Sequence, residues 1–133
     1  MSSPTATAQP VLLDTNILIY HLKSGLSPEL TEQLALTIVA QQAYISVITR
    51  IEMLAWKGHT VLSLQQTTEL LIQLPELGIS EAVIAQTIHI RKAHGLKLPD
   101  ALIAATALVH GLKLVTANTV DFKRVDSLVM DGI

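Results

Sequence analysis

A run of aliphatic residues that ends abruptly at a carboxylate constrains this chain more than any other feature. Val11-Leu12-Leu13 is apolar and β-prone, Asp14-Thr15-Asn16 is polar, and Ile17 to Lys23 is compatible with a helix beginning at about Asn16. The segment reads as a buried strand handing over to a helix. The same order returns downstream, where Tyr44-Ile45-Ser46-Val47 is β-prone and Ile48 to Lys57 has helical composition, with Gly58 as its stop. Lys113-Leu114-Val115-Thr116 is a third clear strand, followed by a polar loop from Asn118 to Asp121.

Helices fill the intervals, each with its own punctuation. Ser27 and Pro28 open one in which Leu30, Leu34 and Ile38 share an apolar face. Leu64 to Leu74 makes another, closed by Pro75. Ser80 caps a helix running to about His94, with Val83, Ile84, Ile88 and Arg91 on one side and Gly95 as its end. Pro99 opens a helix from Asp100 to His110 that is apolar around most of its circumference, as a centrally buried helix must be; Gly111 ends it. Leu77-Gly78-Ile79 is too short to assign firmly as a strand, and a weaker final strand is predicted around Ser127 to Met130. Strands separated by helices predict a parallel sheet with helices on both faces, joined by right-handed crossovers.

The chain has 133 residues, enough for one domain with a real core, and its 50% hydrophobic and 15% charged content excludes a disordered protein. Residues 1–10 lack the features of a secretory signal and are expected to form a disordered leader ahead of a single domain over residues 11–133. No apolar stretch reaches the roughly 18 residues of a membrane span. The absence of cysteine excludes disulfides and thiolate metal sites and fits a cytoplasmic protein. A net charge of −2, with aromatic residues limited to Tyr20, Tyr44, Trp56 and Phe122, provides neither a basic face nor a series of stacking platforms. A nucleic-acid-processing enzyme is compatible with that balance where metal ions supply positive charge.

The carboxylates divide by their neighbours. Glu29, Glu32, Glu69, Glu76 and Glu81 lie among polar residues or helix starts, where a solvated acid is ordinary. Asp14, Glu52, Asp100 and Asp121 lie beside apolar segments, where an unpartnered carboxylate is costly. Each has a structural explanation: Asp14 as a helix cap, Asp100 as an acid in a first helical turn, Asp121 as a loop cap, and Glu52 as the partner of Arg50 or Arg91. Glu52 fits its explanation least, since it shares a helical face with Ile48, Ala55 and Trp56 and is expected to point towards the body. All four fall at strand ends or on helices that begin there, the place where open α/β sheets bind ligands. Gathered carboxylates repel one another unless a cation neutralises them, and an all-oxygen donor set favours Mg²⁺ or Mn²⁺. His21, His59, His89, His94 and His110 show no zinc-like pairing and are expected at the surface or in packing.

Four motifs in order now resemble a known family. Leu13-Asp14-Thr15-Asn16, then Glu52, then Leu98-Pro99-Asp100-Ala101-Leu102-Ile103-Ala104-Ala105-Thr106-Ala107, and finally Leu114-Val115-Thr116-Ala117-Asn118-Thr119-Val120-Asp121-Phe122 are similar to PIN domains, specifically VapC-type toxins of toxin–antitoxin pairs. The resemblance spans Val11 to the C-terminus. It implies a three-layer α/β/α sandwich around a parallel sheet and a Mg²⁺- or Mn²⁺-dependent ribonuclease yielding 5′-phosphate and 3′-hydroxyl ends. The partners it implies are an RNA substrate, a VapB-like antitoxin that holds the enzyme inactive, and a second copy in a homodimer.

By the family pattern Asp14, Glu52 and Asp100 are the core metal ligands. Many relatives carry Asp where this chain has Asn118, so the fourth position lies open between Asn118, Asp121 and neither. Thr15, Ser46 and Thr116 match positions near such sites and are expected to orient ligands or water. Two other readings compete: a PIN-fold binding module that has lost cleavage, to which Asn118 points, and a phospho-accepting signalling domain, against which stands the lack of an acidic pair at the first strand's end.

Overall fold

The computed structural model describes residues 9–133. The expected leader, residues 1–10, lies outside the described residues except for Gln9 and Pro10, both exposed. Its elements follow the chain as β1 (Val11–Leu13), α1 (Thr15–Leu22), α2 (Pro28–Val39), β2 (Ala43–Ser46), α3 (Val47–Leu54), α4 (Val61–Leu71), β3 (Glu76–Leu77), α5 (Glu81–His94), α6 (Leu98–His110), β4 (Lys113–Thr116), α7 (Thr119–Phe122) and β5 (Met130–Gly132). The strands form one parallel sheet in the order β3-β2-β1-β4-β5.

Successive side chains of a strand point to opposite faces, and β1 shows this directly: Leu12 and Leu13 are both buried but in separate cores. Leu12 joins Leu114, the inner residues of α5 and the alanines of α6. Leu13 joins Ile17 and Leu18 of α1, Leu34 of α2, Met53 of α3 and Leu70 and Leu71 of α4. The sheet is therefore the middle layer of an α/β/α sandwich. On α6, Ala101, Ala104, Ala105 and Ala107 are fully buried, so small side chains let the helix approach its neighbours closely. Gly95 and Gly111 end α5 and α6 at φ of 67° and 65°, a left-handed conformation that glycine adopts without steric cost. Among the described residues no helix is long and apolar enough to cross a membrane.

Several sequence expectations are corrected. The helix after β2 stops at Leu54, before Ala55, Trp56 and Lys57, so Gly58 does not terminate it. The helix expected from Leu64 begins at Val61, because Thr60 and Ser63 form a reciprocal cap. The inward face of α5 is Val83, Thr87 and Ile90, whereas Ile84 and Ile88 are exposed. The last strand is Met130–Gly132, pairing Leu114 with Met130 and Thr116 with Gly132, rather than the segment from Ser127. Glu76–Leu77 does form a strand, paired with Ile45 and Ser46 at the sheet's edge.

Candidate active site

From β1 the chain adds strands to one side, β2 and then β3, and later returns to place β4 and β5 on the other. The order reverses between β1 and β4, and a crevice opens beyond strands at such a switch point. A cleft of about 610 Å³ lies there, with Asp14, Asn16, Glu52, Asp100, Asn118 and Trp56 among its walls.

Asp14 follows β1 and is only 4% exposed. Its backbone amide donates to Val115 O of β4 at 2.9 Å, which ties it to the sheet. One carboxylate oxygen accepts from the Thr15 amide at 2.8 Å, so the residue does cap α1, and the other accepts from the Thr116 hydroxyl at 2.7 Å. Burial pushes this carboxyl above the ordinary aspartate value and the charge of Glu52 adds to the shift, while hydrogen bonds from Thr116, Thr15 and Asn16 work against it. The capping role is thus real and accounts for one oxygen only.

Thr15 and Thr116 are the brackets of the site. The Thr15 hydroxyl donates to Glu52 Oε1 at 2.7 Å and its oxygen lies 3.0 Å from that of Thr49, a fully buried residue of α3. Glu52 therefore reaches the cleft from an exposed position, and the inward face of α3 is carried by Thr49 and Met53 instead. Arg50, one of the two partners considered for Glu52, pairs with Glu76 through both of its carboxylate oxygens. Thr116, fully buried at the end of β4, also accepts from the Asn118 amide at 2.9 Å. Ser46 is buried at the end of β2, where its oxygen accepts from the Ile48 amide as the cap of α3; it does not line the cleft.

Asp100, in the first turn of α6, is half-buried in the cleft wall. Burial raises its carboxyl above the ordinary value, the charges of Asp14 and Asp121 raise it further, and Lys97 pulls the other way. Asn118 lines the cleft and donates its side-chain amide to Asp121 at 3.0 Å. Asp121 stands behind it, outside the cleft lining, with a side chain 46% exposed and an ion pair to Arg124 at 3.6 Å. Of the two residues considered for the fourth position, beside the option that neither fills it, Asn118 is in the wall, and Asp121 acts on the site through its charge.

Sequence reasoning missed Asn16, Lys23, Thr49, Trp56 and His59. Asn16 accepts from the Ala117 amide at 3.3 Å, joining the loop after β4 to α1. His59, expected at the surface or in packing, is half-buried and packed in the cleft wall. Only the adjacency of Asn16 and Thr15 to Asp14 in one polar triplet signalled any of these.

Among the described residues no three Asp, Glu or His side chains converge closely enough to ligate one ion as they stand. Their chemistry nevertheless suits one: Asp14, Glu52, Asp100 and Asn118 share a cleft, offer only oxygen donors to it, and two of them have a raised proton affinity that a hard cation would offset.

A comparison with curated proteins finds no match. Among solved structures, the chain is similar to a chain of a toxin–antitoxin complex from Klebsiella pneumoniae. The two are 35% identical over 92% of this chain and 99% of that one, with a TM-score of 0.72. VapBC2 from Rickettsia felis bound to a DNA fragment from its promoter matches at a TM-score of 0.82 and 22% identity, over 94% and 99% of the two chains. VapBC-1 from nontypeable Haemophilus influenzae matches at 0.74 and 24% over 93% and 98%. Residues 11–128 match the model of the PIN domain, and with the cleft at the switch point of a five-stranded parallel sheet the chain belongs to the PIN domain family.

Proposed function

We propose that the protein is the ribonuclease toxin of a VapC-type toxin–antitoxin pair, cleaving RNA phosphodiester bonds with Mg²⁺ or Mn²⁺ and neutralised by a VapB-like antitoxin. The observation that carries this reading is the meeting of Asp14, Glu52 and Asp100 in one cleft, from three separate stretches of chain, with Asn118 beside them. Likeness to a chain of a toxin–antitoxin complex at 35% identity supports the antitoxin partner.

Asp14, Glu52 and Asp100 would hold the cation, with the Asn118 carbonyl available at the fourth corner. When bound, Mg²⁺ or Mn²⁺ neutralises crowded carboxylates and polarises a phosphodiester towards attack by water. The residues of the chain supply position. Thr116 and the Thr15 amide hold both oxygens of Asp14, and the Thr15 hydroxyl holds Glu52, so both carboxylates are kept at the cleft, from which a short adjustment would bring them to a cation. Lys23, in the cleft wall, offers a positive charge to a phosphate backbone.

Incubation with total RNA and Mg²⁺, Mn²⁺ or EDTA tests the reading: cleavage should require the metal, stop with EDTA and leave 5′-phosphate ends. An Asp100→Asn chain that is folded yet cleaves as fast as the original would overturn it. A cleavage-silent binding module is the second reading, favoured by the engagement of the Asn118 amide with Asp121. Absence of both metal binding at millimolar Mn²⁺ and RNA cleavage would select it. The expected homodimer is checked by sedimentation of the free toxin.

A further inference from the structure

We infer that Trp56 is a stacking platform for an unpaired RNA base next to the scissile phosphate, a role that rests on the ribonuclease reading above. Trp56 lies two residues beyond the end of α3, in the wall of the cleft that holds Asp14, Glu52 and Asp100, and it is 57% exposed. An indole left this open forgoes the burial that usually keeps tryptophan in a core.

Here the exposure is combined with restraint. The His59 ring meets the indole edge-to-face, with centroids 5.1 Å apart and planes at 79°. His59 is fixed through both nitrogens: Nε2 donates to Met53 O at 2.7 Å, and Nδ1 lies 2.9 Å from Ser63 Oγ. Ser63 is itself locked in the reciprocal cap with Thr60 that starts α4. On another side the indole lies so close over Gly58 that an added Cβ would come within 2.6 Å of its Cε2 atom. A residue with a Cβ at 58 would therefore have to displace the ring that covers it, a role distinct from helix termination.

A ring braced by His59 and Gly58 and still open to the cleft matches what base stacking needs: a flat, pre-positioned aromatic face that requires no ordering on binding. Bases in a paired A-form helix are already stacked, so the platform selects single-stranded or looped RNA. It also supplies, at one position, a stacking element that the scarcity of aromatic residues had argued against.

Trp56 is the chain's only tryptophan, so intrinsic emission reports on this ring alone. The Asp100→Asn chain, expected to cleave about 100-fold or more slowly, is titrated with a single-stranded oligonucleotide, a hairpin and a fully paired duplex, with anisotropy of labelled RNA followed in parallel. Single strand and hairpin should change the emission and the duplex should not. In the active chain, Trp56→Ala should raise KM about tenfold with kcat nearly unchanged, and Trp56→Phe should restore most of the loss. RNA that binds by anisotropy without altering the emission, or an unchanged KM in Trp56→Ala, overturns the inference while leaving the ribonuclease reading intact. Emission that responds to the antitoxin but not to RNA assigns the ring to a protein interface and also overturns it. Failure of every RNA to bind or be cleaved removes both.

Discussion

Asp14 shows how one buried carboxylate serves fold and site together. Its Oδ1 caps α1 and its Oδ2 accepts a hydrogen bond from the Thr116 hydroxyl, so both oxygens are held although the side chain is almost fully buried. Thr116→Val keeps the shape and removes the donor, leaving a buried carboxylate short of one partner and the Asn118 amide without its acceptor. The expected cost is about 1–3 kcal/mol, read as a lower urea midpoint with unchanged slope, together with a further rise in the proton affinity of Asp14. Asp100→Asn has the opposite sign for stability. Burial and the charges of Asp14 and Asp121 disfavour its ionised form, so the neutral amide should raise the melting temperature of the metal-free protein at neutral pH. On the proposed function the same substitution should lower metal-dependent cleavage by about 100-fold or more, since a proposed ligand and its charge are lost. A lower melting temperature in Asp100→Asn would show that the carboxylate has a structural partner after all.

At the scale of elements, the helix that positions Asp100 tolerates little change. Ala104 and Ala105 of α6 are fully buried. Ala104→Leu forces extra volume into a close-packed layer and should destabilise the protein by about 1–3 kcal/mol, measured by urea unfolding, and lower cleavage by tilting the first turn of α6. This helix was legible in the sequence because its all-round apolar composition and its Gly111 stop are local signals, as were the Ser80 cap and Gly95 stop of α5. What was illegible depended on partners distant in sequence. Met130–Gly132 is a strand only because Leu114 to Thr116 lies beside it, and Glu76–Leu77 only because Ile45 and Ser46 do. The end of α3 has a different cause: Trp56 sits on Gly58 and against His59, its near neighbours in sequence, instead of prolonging the helix. Asp14, Glu52 and Asp100 could be picked out as acids among apolar neighbours. Glu52 nonetheless faces the cleft from an exposed position and not the core. Thr49 and His59 carried no signal, since a threonine on a helix and an isolated histidine are ordinary residues until their neighbours are known.

At the scale of the whole molecule, the switch point draws carboxylates from distant parts of the chain into one cleft, and their repulsion makes stability depend on pH and on cations. Asp14 and Asp100 both have proton affinities raised in the folded state. Between the ordinary carboxylate value near pH ~4 and their raised values, the native state binds more protons than the unfolded chain. The stability of the metal-free protein therefore falls as pH rises through that window. A cation held by the ionised carboxylates reverses the trend, because it competes with protons at the same oxygens and binds the folded state alone. Mn²⁺ at about 100 times its dissociation constant should add about 2.7 kcal/mol, or roughly 10 °C in melting temperature, at pH 7.5. At pH 4.5, closer to the range in which these raised carboxyls take up protons, protons compete for the same oxygens and the shift should be smaller, and in Asp14→Asn it should be small at both. Thermal scans of the two chains at the two pH values, with and without Mn²⁺, measure all of these. Equal Mn²⁺ shifts at pH 4.5 and 7.5 would mean that the cation is held elsewhere than at the carboxylates gathered beyond β1 and β4.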